Sequence, residues 1–235
     1  MKPAVVLFSG GQDSTTCLYL ARTLFDEVYA LSVHYGQRHR AELEQASRIA
    51  QLAGVSHKVI DLPEFGHLVG GATALVRPEV AEADQPALAG SGGLVDAAMP
   101  HGLPTSFVPG RNALLLTLAA SYAATLGVKD VVTGVCQTDY SGYPDCREEF
   151  VTAMQGALDL AMPSSLRPVR LHAPLMRLTK AETVKLARRL PGAWEGLALS
   201  VTCYLGQRPG CGACPACELR ARGFAEAGET DPAAA

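Results

Sequence analysis

Four of the seven cysteines in this 235-residue chain lie between residues 203 and 217, close enough in sequence to share one metal ion. They are Cys203, Cys211, Cys214 and Cys217. Thiolates at these spacings can surround zinc tetrahedrally, and four protein ligands leave no open position for a substrate. The pattern therefore predicts a structural zinc site, with a disulfide, a redox-active pair or an iron–sulfur cluster as the alternatives.

A second group of polar residues surrounds two glycines near the N-terminus, in the segment Ser9-Gly10-Gly11-Gln12-Asp13-Ser14-Thr15-Thr16. Glycine lets the backbone approach a ligand closely, and the free N–H groups at the start of a helix favour an anion. The segment lacks the lysine of the GxxxxGK[ST] loop and does not match the GxGxxG fingerprint. We predict a phosphate-binding loop of another type, with an ordinary strand-to-helix turn as the alternative.

The hydrophobic pattern places this loop at the edge of a parallel sheet. Strands are predicted at 4–8, 28–33, 57–62, 130–135 and 169–172, and helices at 14–25, 40–53, 112–126, 147–161 and 180–190. Strands that alternate with helices form a parallel sheet with right-handed crossovers, and ligands bind at the carboxyl ends of its strands. The predicted fold class is α/β, a twisted parallel sheet of about five strands with helices on both faces.

We expect this α/β domain to occupy residues 1–195, interrupted by an irregular loop at 63–109. That loop holds 7 of the 23 glycines and 6 of the 15 prolines. Its length is typical of a lid over a site or of a mobile segment, and we expect it to be partly ordered over the site. A zinc-binding segment at 196–225 and a frayed tail at 226–235 are expected to follow.

Composition excludes several classes of protein. With 18% charged and 48% hydrophobic residues, the chain is not disordered. A net charge of -3 argues against a bulk nucleic-acid binder. The most apolar stretch, 113–126, is too short and too mixed to span a bilayer, and the N-terminus lacks a signal-peptide pattern. We expect a soluble, cytoplasmic protein.

The SGGxDS pattern after the first strand resembles the loop of the N-type ATP pyrophosphatases, or PP-loop superfamily, whose fold is adenine nucleotide α hydrolase-like. The resemblance implies that the loop grips the pyrophosphate of ATP while a substrate oxygen attacks the α-phosphate. The ATP contacts it implies are Phe8, Ser9, Gly10, Gly11, Gln12, Asp13, Ser14, Thr15, Thr16, Cys17 and Leu18. Asp13 becomes a candidate catalytic residue and Mg²⁺ ligand, because carboxylates suit that hard cation.

The resemblance also implies a catalytic role for Lys180, which lies in the late segment Pro174–Glu182. Thr179, followed three residues later by Glu182, predicts a capping box at the start of the helix that carries this lysine. A solvated lysine on the first turn of a helix is the alternative.

Four further strings narrow the resemblance: YGQRH at 35–39, FVPGRN at 107–112, GVCQTDYSGYPDCR at 134–147 and CELRARGF at 217–224. With the N-terminal loop, they resemble, from residue 3 to about 225, the branch of the superfamily that builds a deazaguanine nitrile for queuosine biosynthesis. This implies 7-carboxy-7-deazaguanine, ammonium and ATP with Mg²⁺ as small-molecule substrates, a homodimer, and no nucleic-acid or membrane partner. The alternatives are another ligase of the superfamily, such as a tRNA-modifying enzyme, and a non-catalytic zinc module that binds nucleic acid.

Candidate contacts to such a substrate follow from side-chain chemistry. Arg111, also a candidate catalytic residue, can donate two hydrogen bonds to a carboxylate or phosphate, and Asn112 either assists it or caps the helix. Asp139 and Asp145 can accept from the guanine-like edge, while Tyr140 or Tyr143 stacks on the ring. Ordinary turn residues are the alternative for all four.

Two further groups remain without a firm role. His34 and His39 lie near the predicted mouth of the sheet and are candidates for proton transfer. Cys17, Cys136 and Cys146 are scattered, and we interpret them as buried thiols rather than nucleophiles.

Overall fold

A five-stranded parallel sheet forms the centre of the molecule in a computed structural model of the chain, which describes residues 1–37, 41–70, 73, 75–76, 104, 106–138, 142–163 and 169–234. Its strands are β1 (Pro3–Leu7), β2 (Glu27–His34), β3 (Ser56–Asp61), β4 (Asp130–Val132) and β5 (Arg170–His172). The strand order is β3-β2-β1-β4-β5, and every pairing is parallel. The predicted fold class is confirmed.

Helices cover both faces of this sheet. The described helices are α1 (Gln12–Leu24), α2 (Ala41–Ala53), α3 (Pro63–Val69), α4 (Arg111–Thr125), α5 (Glu148–Ala161), α6 (Lys180–Arg189), α7 (Ala193–Leu199) and α8 (Pro215–Ala227). Apolar side chains of α1, α2, α6 and α7 pack on one face, and those of α4 and α5 pack on the other. The five predicted helices are confirmed, while α3, α7 and α8 were not predicted.

The apolar run of β1 is explained by its central place. Side chains alternate between the two faces of a strand, so Val6 joins the core under α1 and α2, and Val5 joins the core under α4 and α5. Both are completely buried. A strand covered on both faces needs a continuous apolar sequence rather than an alternating one.

The strand order reverses direction beside β1, and this creates the crevice where ligands bind in such sheets. The chain moves outward from β1 to β2 and β3, and then crosses back to β4 on the other side of β1. The loop after β1 and the segment after β4 meet at this point. A Cβ on Gly134 would lie 3.2 Å from the backbone nitrogen of Ser14, a tight contact. Glycine at position 134 therefore lets the segment after β4 lie close to the start of α1.

Helix α8 joins the cysteine segment to the sheet domain. The Arg220 guanidinium is almost completely buried and binds both carboxylate oxygens of Asp231, at 2.6 and 2.8 Å. It also donates to the hydroxyls of Ser200 and Thr202 and to the carbonyl of Leu197. Residues 226–234 therefore differ from the frayed tail that we expected, because α8 extends to Ala227 and Asp231 is anchored.

Two other predictions can be compared with the described residues. The capping box at α6 is confirmed, since Thr179 accepts from the Glu182 N–H and the Glu182 carboxylate accepts from the Thr179 N–H. The predicted irregular loop at 63–109 differs from the structure at its start, where Pro63–Val69 forms α3, and much of the rest lies outside the described residues. None of the helices in the described part of the chain is long and apolar enough to cross a membrane.

Candidate active site and four-cysteine cluster

Hydrogen bonds of Ser9 and Ser14 fix the conformation of the glycine loop after β1. Ser9 donates its backbone N–H to the Ser14 hydroxyl at 3.2 Å, and that hydroxyl donates to the carbonyl of Gly11 at the same distance. Gly10 has φ +82°, and a Cβ there would lie 2.8 Å from the carbonyl oxygen of Glu42. The loop therefore needs glycine at position 10 for both its conformation and its space.

Helix α1 begins at this loop without a side-chain cap, so its first N–H groups have no side-chain acceptor among the residues that the structure describes. The side chain of Gln12 is 2% exposed, and neither its Oε1 nor its Nε2 has a hydrogen-bond partner among the described residues. Buried polar atoms that lack partners are costly in a protein interior. These donors and acceptors fit a site whose polar groups are completed by a bound ligand.

Lys180 reaches the same loop from the other end of the sequence. Its Nζ atom lies 2.7 Å from Oδ2 of Asp13, and its side chain is only 10% exposed. The second carboxylate oxygen, Oδ1, is buried and has no hydrogen-bond partner within the part of the chain that the structure describes. One oxygen of Asp13 thus orients the lysine, while the other remains available to a cation.

These residues border a cavity of about 650 Å³, a volume within the usual range for small-molecule sites. The cavity lies at the carboxyl ends of β1, β2 and β4. The predicted site residues that line it are Phe8, Ser9, Gly11, Gln12, Asp13, Ser14, Arg111, Asn112, Tyr143 and Lys180. The structure therefore brings the glycine loop, the candidate substrate residues and Lys180 to one place.

Several predicted site residues do not line this cavity. They are Gly10, Thr15, Thr16, Cys17, Leu18 and Asp145. Cys17 and Leu18 are buried in the hydrophobic core beneath the loop, and Thr16 donates its hydroxyl to the carbonyl of Gln12 inside α1. These side chains support the loop from below.

Asp145 lies behind the cavity wall and binds the start of α4. Its Oδ2 accepts from the Asn112 backbone N–H at 3.4 Å, and its carbonyl accepts from the Asn112 side chain at 3.0 Å. Burial raises the pKa of the Asp145 carboxyl, although Arg111 and the Asn112 hydrogen bonds oppose the shift. Because α4 begins after Gly110 without a side-chain cap of its own, Asp145 takes over that role.

Arg111, the first residue of α4, contributes a positive charge to the cavity. Burial acts to lower its pKa, but Tyr35, Tyr143 and Asp145 together raise the pKa above its usual range. Its Nη1 lies 3.5 Å from the hydroxyl of Tyr35. The guanidinium therefore stays charged and can bind a carboxylate or phosphate group.

Glu42 and Tyr204 are among the polar groups at the cavity that sequence reasoning missed. Burial raises the pKa of the Glu42 carboxyl to about 7, although Arg111 opposes part of that shift. Tyr204 shares hydrogen bonds with the hydroxyls of Tyr143 and Ser106, and burial raises its pKa. The signal for Glu42 was its place in the first turn of α2, at the carboxyl end of β2. Tyr204 directly follows Cys203 of the cluster, and nothing in the local sequence distinguishes it from an ordinary residue of that segment.

Other predicted residues lie elsewhere. Asp139, Tyr140 and His39 lie outside the described residues. His34 pairs with Asp61, with 2.5 Å between Nδ1 and Oδ1, and does not line the cavity.

The four clustered cysteines can hold a metal ion, since their Sγ atoms all lie within 4.8 Å of one another. The Sγ atoms of Cys211 and Cys217 are 3.9 Å apart. Four sulfurs bound to zinc at about 2.3 Å would form a tetrahedron with edges of about 3.8 Å. The cluster therefore has the size of a tetrahedral thiolate site.

Backbone hydrogen bonds surround these thiols, and together with burial they shift the pKa of Cys211, Cys214 and Cys217. Cys203 Sγ accepts from the N–H groups of Leu205 and Cys211, and Cys211 Sγ accepts from the N–H of Cys214. Although burial acts to raise it, such hydrogen bonds lower the pKa of Cys211 to about 7. Burial raises the pKa of Cys214 and Cys217. A bound cation would allow all four to ionise together.

The cluster adjoins the cavity through helix α8. Cys214 is the N-cap of that helix, and Cys217 lies in its first turn. Pro215, Ala216 and Leu219 of the same helix line the cavity. The cysteine segment therefore forms one wall of the candidate active site.

Residues 3–228 match the family model described as queuosine biosynthesis protein QueC. Three curated relatives carry the name 7-cyano-7-deazaguanine synthase. The protein from Laribacter hongkongensis is 51% identical over 97% of this chain and 93% of its own length. The protein from Chromobacterium violaceum is 51% identical over 97% and 92%. The protein from Gloeobacter violaceus is 50% identical over 99% and 95%.

Proposed function

Because the chain belongs to the family of queuosine biosynthesis protein QueC, we propose that it converts 7-carboxy-7-deazaguanine and ammonia to 7-cyano-7-deazaguanine with consumption of ATP. The observation that carries the proposal is 51% identity, over almost the whole chain, to a protein named as the synthase of that nitrile. The cavity supports it, because the glycine loop and Arg111 face one space large enough for a nucleotide and a small substrate.

The chemistry requires two activations. In the first, an oxygen of the substrate carboxylate attacks the α-phosphorus of ATP, and pyrophosphate leaves. Ammonia then attacks the acyl carbon, AMP leaves, and an amide and a proton result. In the second, the amide oxygen attacks the α-phosphorus of another ATP, and pyrophosphate leaves. AMP then leaves the carbon, the nitrogen loses both of its protons, and the nitrile results.

The glycine loop is suited to hold the departing pyrophosphate. The backbone N–H groups at the start of α1 are donors that are already in place when charge develops. The hydroxyls of Ser9 and Ser14 would exchange their hydrogen bonds within the loop for bonds to phosphate. Lys180 adds a positive charge that Asp13 orients at 2.7 Å. Asp13 Oδ1 is the candidate Mg²⁺ ligand, and magnesium bound there would neutralise charge on the phosphates.

The cavity wall formed by Arg111 and its neighbours is suited to hold the deazaguanine. Arg111 would bind the substrate carboxylate and keep it in line with the α-phosphate. Glu42 and the hydroxyls of Tyr35 and Tyr204 supply acceptors and donors for the polar groups of the base. Asp139 and Tyr140 stay candidates for the same role.

For the cluster we propose one structural zinc ion per chain. Four thiolates satisfy a tetrahedral ion completely, so the site would stabilise α8 rather than bind substrate. Zinc would couple the folding of this segment to metal binding. An iron–sulfur cluster is the alternative, and metal analysis separates the two.

A tRNA-modifying ligase is the nearest alternative function, and three basic residues near α6 bear on it. Arg177 binds Glu148 at 2.8 Å, and Lys180 binds Asp13. Arg188 stacks on Trp194 at 4.6 Å and lies 3.7 Å from Glu229. These three cations are occupied by protein groups, which reduces the charge that residues 177–188 offer to an RNA backbone.

The test is a turnover assay with 7-carboxy-7-deazaguanine, ATP, Mg²⁺ and ¹⁵N-ammonium, followed by mass spectrometry. We expect ATP-dependent formation of the nitrile carrying the heavy nitrogen, with AMP and pyrophosphate as the nucleotide products. Absence of the nitrile from a folded, metal-loaded protein would overturn the proposal. The homodimer is also a proposal, which sedimentation of the same preparation would check.

A further inference from the structure

Gly223, in the middle of helix α8, lies directly against the side chain of Lys180. A Cβ built on Gly223 would fall 2.4 Å from Cγ of Lys180 and 2.9 Å from its Cβ. Carbon atoms that are not bonded pack at about 3.5–4.0 Å. The stem of the lysine therefore occupies the space that any side chain at position 223 would need.

Lys180 has little freedom to avoid such a side chain. It is the first residue of α6, and the capping box of Thr179 and Glu182 fixes the backbone immediately before it. At the other end of the side chain, Nζ is held 2.7 Å from Asp13. A group added at position 223 could be accommodated only if the lysine stem moved or the two helices separated.

Helix α8 is equally constrained. One turn before Gly223, Arg220 binds Asp231, Ser200, Thr202 and Leu197. At its start, Cys214 and Cys217 belong to the four-cysteine cluster. Separation of α8 from α6 would therefore strain contacts at both ends of this part of the helix.

We propose that Gly223 is a positioning residue for Lys180, and that its missing side chain lets α8 press the lysine stem toward Asp13. Gly223 lies about two helical turns after Cys217, the last cysteine of the cluster. The cysteine segment would thereby set the position of the Lys180 charge in the proposed ATP site. The inference rests on the proposed function only in assigning Lys180 to the reaction. The contact between Gly223 and Lys180 itself does not depend on the substrate.

The test compares Gly223→Ala with Gly156→Ala. Gly156 is an exposed glycine of α5, and a Cβ there would meet nothing within 4 Å. We expect Gly223→Ala to lower kcat for nitrile formation at least about tenfold, while KM for 7-carboxy-7-deazaguanine changes less than about twofold. Gly156→Ala should keep wild-type kinetics. A folded Gly223→Ala protein with wild-type kcat would overturn the proposal.

A double-mutant cycle separates positioning from ordinary helix packing. In a Lys180→Ala background Cγ is absent, so adding Gly223→Ala should lower turnover no further and should lower the melting temperature less than in the wild type. Equal losses in both backgrounds would mean that the glycine serves helix packing alone. If Gly223→Ala alone folds poorly, recovery of the melting temperature in the Lys180→Ala background would trace the loss to the lysine stem, and no recovery would contradict the inference.

Labelling of Lys180 with an amine-reactive reagent gives a readout that is independent of turnover. In the wild type the ion pair with Asp13 and the low exposure should make labelling slow. Gly223→Ala should label several-fold faster at Lys180, and Gly156→Ala should not. If the wild type makes no nitrile, the proposed function fails, while the labelling rates still test the position of Lys180. Equal rates in folded Gly223→Ala and wild type would contradict the inference.

Discussion

The Nζ atom of Lys180 lies 2.7 Å from Oδ2 of Asp13, although 167 residues separate the two in sequence. The pair joins the first turn of α1 to the first turn of α6 at the edge of the cavity. The first turn of α1 presents backbone N–H groups that no described side chain accepts, whereas the capping box already binds N–H groups at the start of α6. Two helix starts and an ion pair therefore converge where the proposed reaction needs to bind phosphate.

Asp13→Asn should reduce nitrile formation about 10³-fold, because the neutral amide keeps the shape of the side chain but loses the charge that orients Lys180 and that we propose binds Mg²⁺. The measurement is turnover by mass spectrometry, with the melting temperature recorded for the same sample. Asp61→Asn is the matched control, because Asp61 is an exposed carboxylate paired with His34 outside the cavity. Full activity of Asp13→Asn would contradict the assignment.

Cys214→Ser should release the metal and lower the melting temperature by about 10 °C, since metal binding is coupled to folding of the segment. Elemental analysis should find one zinc per wild-type chain and almost none in the variant. Cys146→Ser changes a cysteine outside the cluster and should keep the zinc. Iron with inorganic sulfide in the wild type would replace the zinc proposal by an iron–sulfur site.

Glu42→Gln should change how stability depends on pH. Burial raises the pKa of Glu42 from 4.5 to about 7. Its protonated form is thus favoured by folding, and this stabilisation is complete below about pH 4.5 and is lost as the pH rises to about 7. The variant stays neutral, so between pH 5 and 8 it should avoid a loss of about 2 kcal/mol.

Urea unfolding of Glu42→Gln and wild type at several pH values measures that difference. Glu44→Gln, at an exposed position of the same helix, is the control and should follow the wild-type curve. Parallel curves for Glu42→Gln and wild type would show that the Glu42 carboxyl is ionised at all these pH values in the folded protein.

Arg220→Ala should lower the free energy of unfolding by about 3 kcal/mol, because it removes a buried cation that binds four groups and leaves Asp231 without its partner. Arg220→Lys should recover only part of this loss, since an ammonium cannot bind both carboxylate oxygens in the same fork. Arg222→Ala, which removes an exposed arginine 4.0 Å from Glu226, should cost less than about 0.5 kcal/mol. Denaturant unfolding compares the three, and an equal loss at both arginines would contradict the role given to Arg220.

The sheet and the loop could be predicted because their signals are local. The apolar run of β1, the glycines after it and the helical spacing of α1 are adjacent in sequence, and the crevice position follows from parallel topology. The capping box of Thr179 and Glu182 was predictable for the same reason. Local signals also predicted that four thiols would gather, because the cysteines lie close together in the chain.

The contacts that were not predicted join distant segments. Asp145 reads as a residue of a glycine- and proline-rich turn, yet it caps a helix whose first residue, Arg111, precedes it by more than thirty positions. Tyr204 and Glu42 reach the cavity only because the cysteine segment and α2 fold against it. Helix α8 was missed because the spacing of its cysteines dominates the sequence there and Pro215 stands at its start.

The packing of Gly223 on Lys180 has a consequence for synthesis of the protein. The glycine loop is synthesised first and leaves the ribosome first. Lys180, which pairs with Asp13 of that loop, emerges much later, and helix α8, which packs against Lys180 through Gly223, emerges later still. Domains generally fold as units, and contacts between distant segments form late. A nascent chain would therefore be unable to use ATP until almost all of its residues had left the ribosome.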